Sequence, residues 1–133
     1  MVSSLTAALE GGNLSLTTLK ALLDNSFDSI LITDSSKSGK ILFANKSFKA
    51  LTGYSTQEVL GKTPRILQGT ATDKKVLDRL RKALRDGKPF EGRAINYKKN
   101  RTPFIMHWRV VPVKIGRNTK VWVAIQREGS TVE

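Results

Sequence analysis

Three β-rich runs, roughly 89–98, 103–113 and 119–127, fill the last third of this chain, and the turns between them, around "KNR" and "IGRN", are only a few residues long. Connections that short cannot carry the chain back to begin a parallel strand. Consecutive runs must therefore lie antiparallel, as neighbours in one sheet. Alternation then divides each strand between two faces. In "FIMHWRVV", Phe104, Met106, Trp108 and Val110 share one face, and Ile105, His107, Arg109 and Val111 share the other. The second set carries a histidine and an arginine, so the first set is expected to face the core. In "TKVWVAIQ" both sets, Trp122, Ala124 and Gln126 against Val121, Val123 and Ile125, are mostly apolar, and periodicity does not say which points inward.

The preceding residues supply the rest of the layers. Leu16, Leu19, Leu22 and Leu23 recur at helical spacing. "SILITD" (29–34) and "KILFAN" (40–45), separated by "SSKSG", read as a hairpin. Asn45 can cap a short helix that Gly53 ends, and Ser55 with Glu58 forms a capping box for a second, ending at Gly61. The clearest helix is "DKKVLDRLRKALRDG", capped by Asp73 or Thr72, with Val76, Leu77, Leu80, Ala83 and Leu84 as its apolar face and Gly87 as its stop. This order predicts an α+β domain over 14–127, a five-stranded antiparallel sheet with helices packed on one face. Residues 1–13 and 128–133 read as tails.

At 133 residues and 39% hydrophobic content, the chain can bury one core without metal or disulfide staples. It has no cysteine, which excludes disulfides, thiolate nucleophiles and iron–sulfur ligation. His107 is the only histidine and falls on the outer sheet face, so a His-rich metal site is excluded. No Ser/His/Asp set or phosphate loop is present, and no enzymatic activity is expected. The net charge of +12 raises the question of nucleic acid, since eleven of 23 basic residues lie between Lys74 and Arg101. They are spread around the predicted helix rather than aligned, and no nucleic-acid-binding motif accompanies them, so a solvated basic surface is the preferred reading. The N-terminal residues lack a secretory signal and no run is long enough to span a bilayer, so no membrane association and a cytoplasmic location are expected.

Five blocks, "ILITD", "GKILFANKSFKALTGYSTQEVLGKTPRILQG", "INYKKNRTPF", "VVPV" and "VAIQRE", occur in an order and spacing that resemble the PAS superfamily, and within it the flavin-binding LOV domains. The resemblance covers roughly residues 22–127. It implies a PAS fold and a flavin held between the helices and the inner sheet face. By that resemblance Arg65 and Arg81 match the pair that binds the flavin phosphate. Gln68, Asn96 and Gln126 match the carboxamides that bind the ribityl chain and ring edge. Three departures accompany these matches: Thr63 replaces the asparagine before the reactive cysteine, Pro64 replaces the cysteine itself, and Met106 replaces a second ring-edge asparagine.

The residues themselves permit this chemistry. In "GKTPRILQGTATD", Gly61 and Pro64 shape a turn into a short helix, where proline is tolerated in the first turn. Arg65 offers a planar fork to a phosphate, and a carboxamide offers both donor and acceptor to a flavin edge. The short Gly69–Thr72 loop favours FMN over FAD. The expected function is a sensory module that binds FMN non-covalently, forms no cysteinyl photoadduct, and signals through a dimer or partner protein. The alternative is a ligand-free interaction module whose pocket is filled by Met106, Trp108 and Trp122.

Overall fold

The computed structural model describes residues 16–133, so the predicted 1–13 tail lies outside the described residues. Helix α1 (Leu16–Asp24) is followed by β1 (Ser29–Asp34), β2 (Ile41–Ala44), α2 (Lys46–Thr52), α3 (Thr56–Val59), a 3-10 turn (Pro64–Leu67), α4 (Lys74–Asp86), β3 (Phe90–Tyr97), β4 (Pro103–Lys114) and β5 (Lys120–Glu128). The five strands form one sheet in the order β2-β1-β5-β4-β3, with every neighbouring pair antiparallel. The C-terminal meander therefore joins the N-terminal hairpin through β1 and β5, which puts β5 at the centre and leaves β3 at an edge.

The inner face is the predicted one on β4, where Phe104, Met106, Trp108 and Val110 are all buried. On β5 the register decides what periodicity left open: Trp122 and Gln126 point inward, while Ile125 is 38% exposed. The core joins this face to Phe48 of α2, Val59 of α3, Leu67 of the 3-10 turn and Val76 of α4. Burying side chains of this size supplies roughly 1.5–3 kcal/mol each before entropy is counted. Helix α1 differs, since none of its residues is buried and Leu16, Leu19 and Leu22 remain exposed.

Local chemistry starts and stops the helices. Asn45 accepts from Phe48 N–H at the start of α2, and Gly53 ends it at φ 83°, where only glycine is unstrained. Helix α3 carries the full capping box between Ser55 and Glu58 but closes at Leu60, one residue before Gly61. Asp73, not Thr72, caps α4. The Thr72 hydroxyl instead donates to Ile95 O of β3 at 2.7 Å and accepts from Gly69 N–H at 3.0 Å, tying the loop before α4 to the sheet.

The Lys99 ammonium at 2.5 Å, followed by the Ser55 backbone N–H, lowers the Glu58 pKa to about 2. A carboxylate depressed on folding stabilises the folded state above its unfolded pKa, and that contribution is lost as pH falls toward the folded value. The stability difference between wild type and Glu58→Gln is accordingly expected to be fully present above about pH 4.5 and to fade toward about pH 2. Thermal melts across that range check it. Ser55→Ala, which removes the other half of the box, is expected to cost about 1 kcal/mol.

Candidate functional site

The strands place three of the predicted residues on the inner face. Asn96 of β3, Met106 of β4 and Gln126 of β5 are 5%, 2% and 3% exposed, respectively. Asn96 stands opposite Phe104, Met106 opposite Ala94, and Gln126 opposite Trp108. Met106 thus lies on the one inward rung between the two carboxamides, and Trp108 shares the rung of Gln126. Asn96 makes one long hydrogen bond, from Nδ2 to Ala94 O at 3.3 Å. Gln126 Oε1 accepts from the Ser29 hydroxyl at 2.9 Å, which orients the amide and leaves its Nε2 donors unused. Both residues are largely buried, but no fully buried side-chain polar atom among the described residues lacks a partner. The unpartnered Gln126 Nε2 and Asn96 Oδ1 therefore keep some solvent contact, where a polar ligand edge could meet them.

The turn "TPRIL" lies on the helical side. Thr63 is extended and makes no side-chain cap, Pro64 occupies the first position of the 3-10 turn, and Gln68 closes it. Leu67 is 2% exposed and anchors the turn in the core. Gln68 is half-buried, while Arg65 is exposed and its guanidinium makes no hydrogen bond or ion pair among the described residues. Arg65 and Gln68 are near-eclipsed in a 3-10 turn, so they project from one side of it. Gly69 follows with the Tyr97 ring against it, and a Cβ there would sit 2.3 Å from the ring. Tyr97 Oη then accepts from Ala71 N–H at 2.9 Å, fixing the loop.

Arg81 is on the exposed face of α4 and donates to Asp78 at 2.5 Å, an ion pair whose side chains are 63% and 70% exposed. The structure thus brings Asn96, Met106 and Gln126 onto one buried face, with Arg65 and Arg81 both at the surface. Met106, Trp108 and Trp122 belong to the same core cluster as Leu67 and Val76. Two surface cavities, of about 310 and 470 Å³, lie at the β3 edge and beside the end of α2, and neither is lined by Asn96, Met106 or Gln126.

The sequence assigns no role to one buried polar residue of this region and only a capping role to another. Ser29 is 2% exposed and positions Gln126 across the β1–β5 pair. Asn45, read only as a cap, is completely buried. Its Nδ2 donates to Leu23 O at 2.6 Å and Asp28 O at 3.0 Å, and its Oδ1 accepts from Ile30 N–H at 2.8 Å. One carboxamide thereby fastens the end of α1 to β1 and α2. Only the S-I-L-I-T-D alternation hinted at Ser29, because it shares a face with the core residue Leu31. On the outer face, Glu91 is held between His107 at 2.7 Å and Arg109 at 3.0 Å. First His107 and then Arg109 keep its carboxyl below the usual glutamate range.

An antiparallel sheet in this order, with short helices and a 3-10 turn over one face, defines a small α+β module whose apolar inner surface carries the polar Ser29, Asn96 and Gln126. A sequence profile described as the PAS domain matches residues 28–129, and the chain belongs to that family. Its similarity within the family is to LOV photoreceptors. It is 40% identical over 74 residues to Phototropin-1A of Oryza sativa subsp. japonica, covering 56% of this chain and 8% of that protein. It is 31% identical over 113 residues to a blue-light photoreceptor of Listeria innocua serovar 6a, covering 85% of this chain and 45% of that one. The LOV domain from the Erythrobacter litoralis EL346 blue-light activated histidine kinase superposes with a TM-score of 0.72 at 30% identity, covering 78% of this chain and 97% of that one. A light-oxygen-voltage domain studied with a flavin analogue gives 0.76 at 30% identity, covering 90% and 89%. The chain spans between 8% and 45% of the length of these two curated relatives. Among the described residues, no helix is long and apolar enough to cross a membrane.

Proposed function

We propose that this domain is a LOV-like sensory module that holds FMN non-covalently against the inner sheet face and signals without a thiol bond to the flavin. The observation that carries this reading is Gln126, buried at 3% exposure, oriented by Ser29 and left with unused amide donors. Asn96 supplies a second under-used carboxamide on the same face. When bound, the flavin supplies light absorption and redox chemistry. The residues bind and orient it. Gln126 and Asn96 satisfy polar ring-edge atoms, Gln68 serves the ribityl chain, and Arg65 with Arg81 neutralises the phosphate. Thr63 and Pro64 fill the place where the relatives' reactive residue stands, and Met106 contributes only apolar contact. The names of the relatives, blue-light photoreceptors and a blue-light activated histidine kinase, support a sensory role. The test is reconstitution with FMN followed by absorption spectroscopy. Co-purification of a structured blue band supports the reading, and no binding at micromolar FMN sinks it.

A ligand-free interaction module is the second reading, and a specific observation favours it. Met106, Trp108 and Trp122 are 2%, 7% and 6% exposed, and a flavin would have to displace part of that packing. The same titration separates the two readings.

In either case the output passes to a second copy or to a partner protein. No residue of helix α1 is fully buried, and Leu16 is 84% exposed and Leu22 is 62% exposed. An apolar stripe of this kind is characteristic of an association surface. Leu19→Asp is expected to shift the chain from dimer to monomer in sedimentation. A wild type that remains strictly monomeric at high concentration removes the dimer.

A further inference from the structure

The residues after β5 turn back onto the domain. Gly129 N–H donates to Ile105 O at 2.8 Å, and the following residues reach the free edge of β3. There the Glu133 carboxylate is held on both oxygens. Arg79 Nη2 lies 2.5 Å from Oε1 and 2.7 Å from Oε2, and the Arg93 backbone N–H donates to Oε2 at 2.8 Å. The Arg79 guanidinium is itself fixed, stacked 5.2 Å from the Phe90 ring centre with Nη1 donating to Glu91 O at 3.5 Å. Gly92 makes room for this arrangement, since a Cβ there would lie 2.9 Å from Glu133 Oε2 and 2.5 Å from the Phe90 ring. The cavity of about 310 Å³ adjoins it, bounded by the Arg93–Ile95 edge of β3, Ala71, Asp73 and Val132. Asp73 is the other carboxylate on that cavity, and it is turned to Lys75 N–H at 2.8 Å as the α4 cap.

We propose that Arg79, the Arg93 backbone N–H and the Gly92 recess form a carboxylate-recognition site on the β3 edge, whose ligand is an acidic side chain on an extended peptide segment. Residues 129–133 are its occupant in cis. A guanidinium held between an aromatic ring and a strand carbonyl binds a carboxylate with little further ordering, and an unpaired strand edge accepts an extended segment beside it. Glu133 and Arg79 are 31% and 52% exposed at the side chain, so the contact is open to exchange. The tethered segment competes at a high effective concentration, so a partner's acidic segment gains access only when the tethered one is displaced. This site is independent of flavin binding.

The test uses the full chain and a fluorescently labelled peptide EGSTVE, blocked at both ends so that its only carboxylates are side chains. Fluorescence anisotropy is expected to show Glu133→Gln binding the peptide at least about tenfold more tightly than wild type, because the competitor in cis is weakened. Adding Arg79→Ala or Arg79→Lys to that variant is expected to abolish the gain, the lysine because it keeps the charge but lacks the fork. A peptide ending in glutamine is expected not to bind. The Arg93 amide resonance should also shift in Glu133→Gln alone, which reads the contact in cis directly. Equal binding to wild type and Glu133→Gln, binding that survives loss of Arg79, or equal binding of the glutamine peptide each overturns the proposal.

Discussion

Blue light is expected to leave the visible absorption band of the FMN-loaded protein in place, with persistent fluorescence, and to bleach it only slowly when an external reductant is added. A fast, reversible loss of that band through a covalent thiol adduct would need a sulfur within bonding reach of the flavin, and this chain contains no cysteine. By the proposed reading Pro64 takes the position of the reactive cysteine; it stands at the start of the 3-10 turn, and its saturated ring carries no nucleophilic atom. The effect is all or none and can be reversed. Pro64→Cys is expected to gain reversible bleaching, because the turn is anchored by buried Leu67 and proline is not required at its first position. Rapid reversible bleaching in the unmodified protein contradicts the assignment, and time-resolved absorption measures both variants.

Replacing Arg65 and Arg81 together by alanine is expected to weaken FMN by about a hundredfold or more while leaving riboflavin nearly unchanged. The FMN phosphate carries about two negative charges, and each charge-assisted contact contributes roughly 1.5–3 kcal/mol where partly desolvated. Among the described residues, Arg65 has no competing side-chain partner. Arg81 would give up its pair with Asp78, but that pair is well exposed on both sides, and such pairs are worth about 0–1 kcal/mol. The exchange therefore favours the phosphate. Met106→Asn, by contrast, acts at the ring edge and is expected to tighten FMN and riboflavin alike, because it restores an amide between Asn96 and Gln126. Calorimetric titration of the two ligands into the variants separates phosphate from ring contributions. Equal loss of FMN and riboflavin affinity in the double-alanine variant removes the phosphate role.

Some features were legible in the sequence because the interactions behind them are local. The Asn45 and Gly53 ends of α2 and the Ser55–Glu58 box each involve residues within a few positions of one another. The inward face of β4 was legible for a different reason: a histidine and an arginine on one side leave little choice about which side meets water. β5 offered no such asymmetry. As a central strand it has apolar residues on both faces, and only its pairing with β1 and β4 turned Gln126 inward.

The candidate site divides in the same way. The residue types that suit a flavin, Arg65, Gln68, Asn96 and Gln126, stand in the sequence with their spacing and their resemblance, as does the missing cysteine. Their contacts do not. Ser29 and Gln126 are 97 positions apart, and Arg79 and Glu133 are 54 apart. No local propensity encodes a hydrogen bond across such separations. Asn45 shows both limits in one residue: its capping bond to Phe48 N–H was readable, and its bonds to Leu23 and Asp28 were not. By itself the sequence determined both ends of α2, the start of α3, the antiparallel meander and the absence of thiol chemistry, because steric, capping and elemental constraints act within a few residues. Only the tertiary structure decided which face of β5 is buried, which carboxamides keep free donors, and which carboxylate occupies the β3 edge, because those depend on strand order and on groups that only the sheet brings together.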